Sequence, residues 1–365
     1  MIDLTVSSTG PLEFEGPNRA FAKSIGAAYT HLPARDPRTL PKSAGGREIF
    51  RRKWPFMYER RAAEQSHIDS LFTELVKEVN PQVVLVDYLP SALFIPSLYE
   101  SDTPRVTITL NREADFYRNL RTFKAVPPDA SDSILANWRI ARFERSIFRR
   151  SNAVVALTRN DLPKRLGRSI RLRVMPLTFP VHSVRWSYPQ SNRLFFVGNA
   201  NHYPIRLAIE WLATRLAPEI EKIAPSIRIE IIGVQSESVP EAWRSTNVLY
   251  LGNCDKAAVI DRFARSDLFI APIDNDYGSK IKLLECLAHG TPFVATSNAL
   301  SGLPFLTCVP KVNLNSPAAA AQVVMKLVSE PGRLTQLAMR LEHEVAEFQI
   351  RERGSWGRLI GEILN

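Results

Sequence analysis

The sequence has few cysteines, no recognisable secretory leader and no long apolar run, and these absences exclude several classes of protein. Its 365 residues include only Cys254, Cys286 and Cys308, and no two of them have the spacing of a zinc or redox motif. The N-terminus lacks a basic stretch followed by an apolar one. A membrane-spanning helix needs about 20 mostly apolar residues, whereas the most apolar segment, 83–99, contains two prolines and an aspartate. We therefore expect a cytoplasmic protein with reduced thiols and no structural zinc.

Positive charge is concentrated in the first half of the chain. Residues 1–190 carry 29 basic and 19 acidic side chains, whereas residues 191–365 carry 18 of each. This distribution predicts that the N-terminal half attracts anions such as a phosphorylated substrate, lipid headgroups or nucleic acid. Residues 139–150 repeat arginine along one side of a helical pattern, with Arg139, Arg142, Arg145, Arg149 and Arg150.

This basic segment has two interpretations. It is either a solvated face of a helix that packs on the core, or a surface for anionic headgroups or a lipid-diphosphate acceptor. The second interpretation predicts peripheral contact with the inner face of a membrane. No helix-turn-helix, zinc-finger or RNP-like pattern supports nucleic acid as the partner.

Short apolar runs alternate with helical patterns, which indicates parallel sheets built from βαβ units. In the second half we predict strands at 193–197, 227–232, 248–251, 268–271 and 292–296, with helices at 206–217, 257–266 and 279–289. In the first half we predict strands at 2–6, 28–32, 83–86, 105–109, 153–157 and 171–174, with helices at 60–79 and 134–150. Residues 176–191 hold three prolines and indicate a linker. The predicted fold is α/β, with two Rossmann-like domains facing one another across a cleft.

The most informative stretch is residues 268–296, LFIAPIDNDYGSKIKLLECLAHGTPFVAT. A strand is followed by Gly278 and Ser279, which open a helix. Lys280 and Lys282 lie in its first turn, where each cation opposes the helix dipole by about 0.3–1 kcal/mol. The pattern is explained if a phosphate binds between the lysines and the free N–H groups. Glu285 could accept hydrogen bonds from ribose hydroxyls; the alternative is a lysine–glutamate pair on a solvated helix.

The same stretch carries two further patterns. Ile281 and Leu284 are three residues apart, which predicts that both lie on the apolar face of the helix. Asp274 and Asp276 form an Asp-x-Asp motif, which could hold a divalent metal, but we favour a solvated turn and predict no metal site. Among the scattered histidines, we expect His289 to be structural, whereas His202 could touch a ligand.

The order strand, Gly-rich turn, two lysines, Glu285, Ala288, Gly290 and Pro292 resembles the nucleotide-binding signature of GT-B glycosyltransferases of the group 1, family 4 type. Residues 193–220, 255–272, 105–120 and 139–166 resemble other stretches of that family. The resemblance implies an acceptor domain at 1–178, a nucleotide-sugar donor domain at 191–345 and a C-terminal helix at 346–365 that packs back toward the first domain. It also implies transfer of a hexose-type sugar from a nucleotide-sugar donor to a saccharide or lipid-linked acceptor, with retention of anomeric configuration and no required metal or other cofactor.

The resemblance assigns roles to individual residues. The diphosphate would be bound by Lys280, Lys282, Gly278, Ser279, Gly198 and Asn199. The ribose and the base would lie near Glu285, Gly252 and Asn253. Catalytic positions in the first domain would be Asn111 and Glu113.

Three positions depart from the family pattern. Tyr277 replaces a glutamate that many members use to contact the transferred sugar, Leu110 replaces a histidine, and Ile205 lies where a Pro-Asn pair is common. These differences keep other functions open: a catalytically silent nucleotide-binding module, or a sugar-nucleotide epimerase or hydrolase on the same scaffold. The basic first half keeps open a nucleic-acid-binding protein, which would show a steep dependence of affinity on salt.

Overall fold

The chain divides into two separately packed α/β units. In the computed structural model, the described residues are 5–8, 28–31, 65–87, 89–93, 95–122, 134–163, 170–175, 184–200, 202–276 and 280–365. Unit 1 comprises Met1–Val155, Leu162–Arg173 and Gly357–Asn365, and unit 2 comprises Ala156–Asp161 and Val174–Trp356. No helix in the described ranges combines the length and the hydropathy needed to cross a bilayer.

Unit 1 contains a short sheet and a larger one. Strands β1 (Thr5–Ser8) and β2 (Ala28–His31) pair in parallel. Helix α1 (Gln65–Val79) precedes the larger sheet, whose strand order is β3-β4-β5-β6. These strands are β3 (Val84–Asp87), β4 (Arg105–Thr109), β5 (Ala153–Ala156) and β6 (Arg171–Val174). Helices α2 (Glu113–Thr122) and α3 (Ile134–Arg149) lie between β4 and β5 in the chain.

Unit 2 is built on a five-stranded sheet in the order β11-β10-β7-β8-β9. Its strands are β7 (Arg193–Val197), β8 (Arg228–Ile232), β9 (Val248–Tyr250), β10 (Leu268–Ala271) and β11 (Phe293–Ala295). Its helices are α4 (Tyr203–Trp211), which continues through a π-turn (Leu212–Leu216) into α5 (Ala217–Ile223), then α6 (Lys256–Arg265), α7 (Ile281–His289), α8 (Pro317–Val328) and α9 (Pro331–Glu352). The last helix, α10 (Ser355–Leu364), follows.

Short 3-10 turns complete the description. They are Leu89–Leu93, Pro96–Glu100, Arg159–Asp161, Ser236–Ser238, Glu241–Trp243 and Ala299–Gly302. The C-terminal part of α10 belongs to unit 1, because Glu362 accepts a hydrogen bond from Arg173 at 2.6 Å.

The central strands of unit 2 are mostly apolar and buried, as expected for a parallel sheet covered on both faces. All four residues of β10 are buried, as are four of the five in β7. Phe195 of β7 makes edge-to-face contacts with Phe263 of α6 and Phe269 of β10, with ring centroids 5.1 and 5.0 Å apart. This packing fixes the position of the strand ends.

The predicted fold class is confirmed, and most predicted elements are present. Strands 193–197, 268–271, 105–109 and 171–174 have the predicted bounds. The strands predicted at 83–86, 153–157, 227–232, 248–251 and 292–296 differ by one residue at one or both ends, and the first strand ends two residues later than predicted, at Ser8. The helix predicted at 206–217 begins earlier, at Tyr203, because Pro204 suits a first helical turn. It also runs on to Ile223.

Some predictions fall on residues that the structure does not describe. Residues 2–4, 32, 60–64 and 176–183 lie outside the described residues, so the predicted starts of the first strand and first helix, and much of the predicted linker, stay predictions. The remaining linker residues, 184–191, contain neither helix nor strand.

Candidate functional site

The strand order of the unit 2 sheet reverses between β7 and β10. The chain passes from β7 to β8 and β9 on one side, and β10 then pairs on the other side of β7. Neighbouring strands are parallel throughout, so their carboxyl ends share one edge of the sheet. Ligands of open α/β sheets bind outside the carboxyl ends of the strands at such a switch point. The segments that follow β7 and β10 are therefore the candidate site.

Glycines follow three adjacent strands at this edge. A Cβ on Gly198, after β7, would lie 2.6 Å from Cγ2 of Ile205. Gly233, after β8, has a φ of 100°, and its Cβ would lie 2.3 Å from the carbonyl oxygen of Gly198. Gly252, after β9, has a φ of 66°, and its Cβ would meet Oε1 of Gln235 at 2.7 Å. Gly233 therefore packs directly against the backbone of Gly198, whereas Gly198 and Gly252 make room for the side chains of Ile205 and Gln235.

The segment after β7 turns directly into α4. The carbonyl oxygen of Asn199 accepts a hydrogen bond from the N–H of His202 at 3.0 Å, and His202 is the N-cap of α4. Both residues are exposed. Partial desolvation of the His202 ring and the nearby Lys280 ammonium lower the pKa of His202. The segment after β7 therefore lies close to the segment after β10.

Lys280 occupies the N-cap of α7 and is only 8% exposed. Its carbonyl oxygen accepts a hydrogen bond from the N–H of Leu283 at 2.8 Å. Burial lowers the pKa of Lys280 to about 8, although the Asp161 and Asp276 carboxylates oppose this effect. A cation held in a poorly hydrated place at a helix start is suited to binding an anionic group.

Lys282 and Glu285 lie in different surroundings from Lys280. Nζ of Lys282 is 3.5 Å from Oε2 of Glu285, and both side chains are about one third exposed. Residues two apart project to roughly opposite sides of a helix with 3.6 residues per turn. The structure thus pairs Lys282 with Glu285, whereas the buried Lys280 feels the charges of Asp161 and Asp276 and influences His202.

The rotation of α7 about its axis corrects one sequence prediction. Ile281 is 59% exposed, so its assignment to the apolar face is wrong, whereas the assignment of the buried Leu284 is confirmed. The buried arc contains Lys280, Leu283, Leu284 and Leu287, which follow the i, i+3, i+4, i+7 pattern of one helix face. A lysine thus occupies the position where an apolar residue was expected, and an isoleucine faces solvent.

The Asp-x-Asp segment is held by amide and hydroxyl donors. Nδ2 of Asn298 donates to Oδ1 of Asp274 at 3.0 Å. Nδ2 of Asn160 donates to the carbonyl oxygen and to Oδ2 of Asp276 at 3.0 and 3.1 Å, and Oγ of Ser301 donates to the same carbonyl at 2.8 Å. Both carboxylates thus shape a turn. In the part of the chain that the structure describes, no group of three or more His, Cys, Asp or Glu could hold a metal ion.

The other predicted residues of unit 2 differ in whether the structure describes them and in how accessible they are. Gly278 and Ser279, together with Tyr277, lie outside the described residues. Asn253 is exposed and follows Gly252 at the end of β9. His289 has a structural environment: Nδ1 donates to the carbonyl oxygen of Val184 at 2.7 Å, and the ring stacks on Phe263.

In unit 1, Asn111 lies between β4 and α2, and Glu113 is the first residue of α2. The carbonyl oxygen of Asn111 accepts a hydrogen bond from Oγ1 of Thr109 at 2.6 Å, and Asn111 is partly exposed. Glu113 is 1% exposed, and its N–H donates to Oε1 of the buried Glu144 at 3.2 Å. In this conformation the side chain of Glu113 is closed to a ligand, whereas Asn111 is accessible.

The sequence predictions omitted Gly233, Asn160 and Asp161. Gly233 ends its strand as Gly198 and Gly252 do, so the repeated strand-end glycine was a usable signal. Asn160 and Asp161 reach the site from a 3-10 turn far from Lys280 in the chain, and no local pattern indicates such a contact.

Comparisons with known proteins agree with this architecture. Residues 191–330 match the family model "Glycosyl transferases group 1". Sucrose-phosphate synthase from Thermosynechococcus elongatus is 12% identical, with a TM-score of 0.67 and coverage of 100% of this chain and 99% of that one. The E. coli structure described as trehalose-6-phosphate bound with UDP-2-fluoro glucose is 13% identical, with a TM-score of 0.62 and coverage of 100% and 99%.

A third structure, TarM, is longer than this chain. It is 11% identical, with a TM-score of 0.56, and the match covers 76% of this chain but only 54% of TarM. No curated protein sequence matches the chain. Because the identities are low, the structural likenesses establish the fold alone. Residues 191–330 are therefore similar to the group 1 glycosyltransferases, and the chain has the two-unit Rossmann-like fold of GT-B glycosyltransferases.

Proposed function

We propose that the protein transfers a hexose-type sugar from a nucleotide-sugar donor to a saccharide or lipid-linked acceptor, with retention of anomeric configuration and without a required metal. Unit 2 binds the donor, and unit 1 contributes to the acceptor site. The observation that carries this proposal is the buried Lys280 at the N-cap of α7, in the segment that follows β10 at the switch point of the unit 2 sheet.

The proposed donor site uses the groups that converge at this edge. The diphosphate lies against Lys280 and the segment Gly198–Asn199, in which Asn199 is exposed. Departure of a nucleoside diphosphate leaves negative charge on its phosphate oxygens, and a preorganised cation stabilises that charge. Burial makes the Lys280 ammonium more effective, because a weakly hydrated charge interacts more strongly with an anion.

The ribose and the base lie further along α7 and β9 in this proposal. Glu285 accepts hydrogen bonds from ribose hydroxyls once its contact with Lys282 is exchanged, and Gly252 and Asn253 border the base. In this proposal Lys282 helps to position Glu285, because the two side chains form an ion pair. The donor class is supported by the E. coli relative described as bound with UDP-2-fluoro glucose.

In unit 1, Asn111 is the accessible candidate for contact with the sugar or the acceptor. Glu113 is a positioning residue in this proposal, because its side chain is buried and its backbone N–H donates to Glu144. Acidic residues in the first turn of α2 also interact favourably with the helix dipole. We place the reaction in the cytoplasm, with the acceptor reached at the inner face of the membrane.

Calorimetric titration with UDP, GDP, ADP and dTDP, and then with their hexose conjugates, tests donor binding. We expect one nucleotide to bind best, and Lys280→Gln to weaken its binding roughly ten- to hundredfold, as expected for loss of a charge-assisted hydrogen bond. Lys326→Gln is the matched control, because Lys326 is an exposed lysine on α8. Lys282→Gln should have an intermediate effect.

Product analysis tests the chemistry. Slow donor hydrolysis without acceptor, or transfer to one of a panel of soluble and lipid-linked acceptors, would support an enzyme, and NMR of the product anomer tests retention. Binding without turnover in any condition would instead favour a silent nucleotide-binding module. Unchanged affinity in Lys280→Gln would contradict the placement of the diphosphate.

A further inference from the structure

Helix α3 of unit 1 has one buried side and one strongly basic exposed side. Ile140, Ile147 and Phe148 are buried, at 0%, 6% and 1% exposure. The opposite side carries what we term the basic face: Trp138, Arg142, Arg145 and Arg149. These positions are spaced i, i+4, i+7 and i+11, so the four side chains form one continuous stripe along the helix.

The aromatic residue of the basic face is unusually accessible. Trp138 is 58% exposed, although tryptophan is highly buried on average in soluble proteins. The guanidinium carbon of Arg142 lies 5.5 Å from the centroid of the Trp138 ring, which is a cation–π distance. The contact presents an apolar ring and a cation side by side at the surface.

Among the residues that the structure describes, no acid pairs with the arginines of the basic face. Within the described ranges, Arg142, Arg145 and Arg149 form no ion pair with a carboxylate, whereas the adjacent Arg150 lies 3.8 Å from Glu100. The acid on the helix itself, Glu144, is buried on the other side. Since residues 1–190 hold the entire excess of basic side chains, the face also lies in a generally positive half of the chain.

We propose that the basic face is a docking surface for an anionic phospholipid membrane, with the arginines at the headgroup phosphates and Trp138 at the headgroup–acyl boundary. Arginine binds phosphate through paired N–H groups. Tryptophan is favoured at membrane interfaces because one end of its ring system is apolar and the other is polar. Because the apolar side of α3 is buried in the protein, Trp138 is the apolar contact that this stripe offers to a membrane.

The docking surface would explain how the protein reaches an acceptor at the membrane, as proposed above. Binding of this surface to a membrane does not depend on the transfer reaction. It uses only residues of unit 1, and the proposed donor site uses residues of unit 2. Vesicle binding can therefore be measured without nucleotide, and nucleotide binding without vesicles. Failure of one proposal leaves the other standing.

Co-sedimentation of the full chain with lipid vesicles tests the docking surface. We expect binding to phosphatidylcholine vesicles that contain roughly a third phosphatidylglycerol, little binding to phosphatidylcholine alone, and weakening as salt is added. Each basic residue near an anionic surface strengthens binding about fivefold. The triple variant R142Q/R145Q/R149Q should therefore bind about a hundredfold more weakly.

The matched control removes the same charge elsewhere. R215Q/K326Q/R340Q neutralises three exposed cations of unit 2 and should bind vesicles nearly as wild type does. Trp138→Ala should weaken binding even at high salt, because it removes apolar contact and not charge. Circular dichroism spectra and nucleotide affinity should be unchanged in all of these variants, since the replaced side chains are exposed. If the triple variant is unfolded, vesicle binding by Trp138→Ala at high salt tests the docking surface instead.

Three results would overturn the proposal. One is equal binding of wild type to anionic and neutral vesicles, or to neither. Another is an equal loss of binding in the triple variant and its control, which would show that total charge and not this face matters. The third is tighter binding to an oligonucleotide than to anionic vesicles at the same salt, abolished by the same triple variant, which would assign the face to nucleic acid.

Discussion

Replacing Lys280 by methionine is expected to make the ligand-free protein more stable while it removes nucleotide binding. Methionine keeps much of the length and the apolar stem of lysine but carries no charge. The pKa of Lys280 falls from 10.5 to about 8 in the folded protein, and burial is the main cause. One pKa unit corresponds to about 1.4 kcal/mol. The charged ammonium therefore destabilises the fold by up to about 3 kcal/mol relative to a neutral side chain.

The sign of the pH dependence follows from the same pKa. Because the folded pKa lies below the unfolded one, the unfolded chain binds more protons than the folded chain between about pH 8 and pH 10.5. Lys280 therefore makes wild type more stable as the pH rises through this window. Below about pH 8 the full destabilisation is present, so the stability advantage of Lys280→Met should be largest near pH 7 and vanish near pH 10.5.

Ligand binding should show the opposite trend. If the diphosphate needs the protonated ammonium, wild-type affinity for the preferred nucleoside diphosphate stays constant below about pH 8 and falls about tenfold per pH unit above it. Lys280→Met should bind weakly at every pH, with no break near pH 8. A stabilising substitution would then remove function, as at sites where activity requires a destabilising group.

Differential scanning calorimetry with and without nucleotide, over a series of pH values, measures both effects. Lys326→Met serves as control, because an exposed lysine should change neither stability nor binding by a measurable amount. If Lys280→Met proves less stable than wild type at pH 7 and is still raised in Tm by the nucleotide as wild type is, then Lys280 is a structural cation and the reasoning fails.

Further predictions concern the glycine loops, the Asp-x-Asp turn and metal dependence. Gly198→Ala should destabilise the protein by about 1–3 kcal/mol through overpacking against Ile205, and a double-mutant cycle should show that Ile205→Ala relieves part of this loss. Gly233→Ala should lower the free energy of unfolding by roughly 2–6 kcal/mol, because side-chain repacking can relieve neither the positive φ nor the clash with a backbone oxygen. Denaturant unfolding measures the stability of both glycine variants. Asn160→Ala should lower stability by about 1 kcal/mol and weaken donor binding by releasing the turn at Asp276; an unchanged affinity would separate this turn from the donor site. Addition of EDTA should leave nucleotide affinity unchanged in the same titrations.

The sequence predicted the unit 2 sheet well because its strands are buried on both faces. The runs Leu194–Val197 and Leu268–Ala271 are apolar throughout and are followed by Gly198 and Pro272, so the ends of these strands follow from composition. Helix ends were harder. The π-turn Leu212–Leu216 joins α4 to α5 without a sequence break, because Pro218 falls in the first turn of α5, where its missing N–H is tolerated.

The strand-end glycines and Lys280 could be predicted as site residues from local sequence alone. Glycine is unfavourable in strands, and a lysine at the start of a helix opposes the helix dipole. The contributions of Asn160 and Asp161 could not be predicted, because both residues lie in a 3-10 turn that is more than 100 residues from Asp276 in the chain. The pairing of Lys282 with Glu285 was one of two alternatives left open by the sequence, and helix rotation decided between them. Such rotation depends on packing against the sheet and is only weakly encoded by a nine-residue helix.

The start of α7 reverses the usual assignment of polar and apolar residues, and this reversal is the strongest argument that the site is functional. Lys280 is 8% exposed and the adjacent Ile281 is 59% exposed. Rotating the helix by about 100° per residue could expose the lysine and bury the isoleucine, but it would also move Leu283, Leu284 and Leu287 off the sheet. The packing of three leucines therefore holds the ammonium in a poorly hydrated place that it would not otherwise occupy. Natural sequences depart from the usual burial of apolar and exposure of charged side chains mainly at functional sites. If Lys280 binds no anion, its replacement by an apolar residue should leave the nucleotide affinity unchanged.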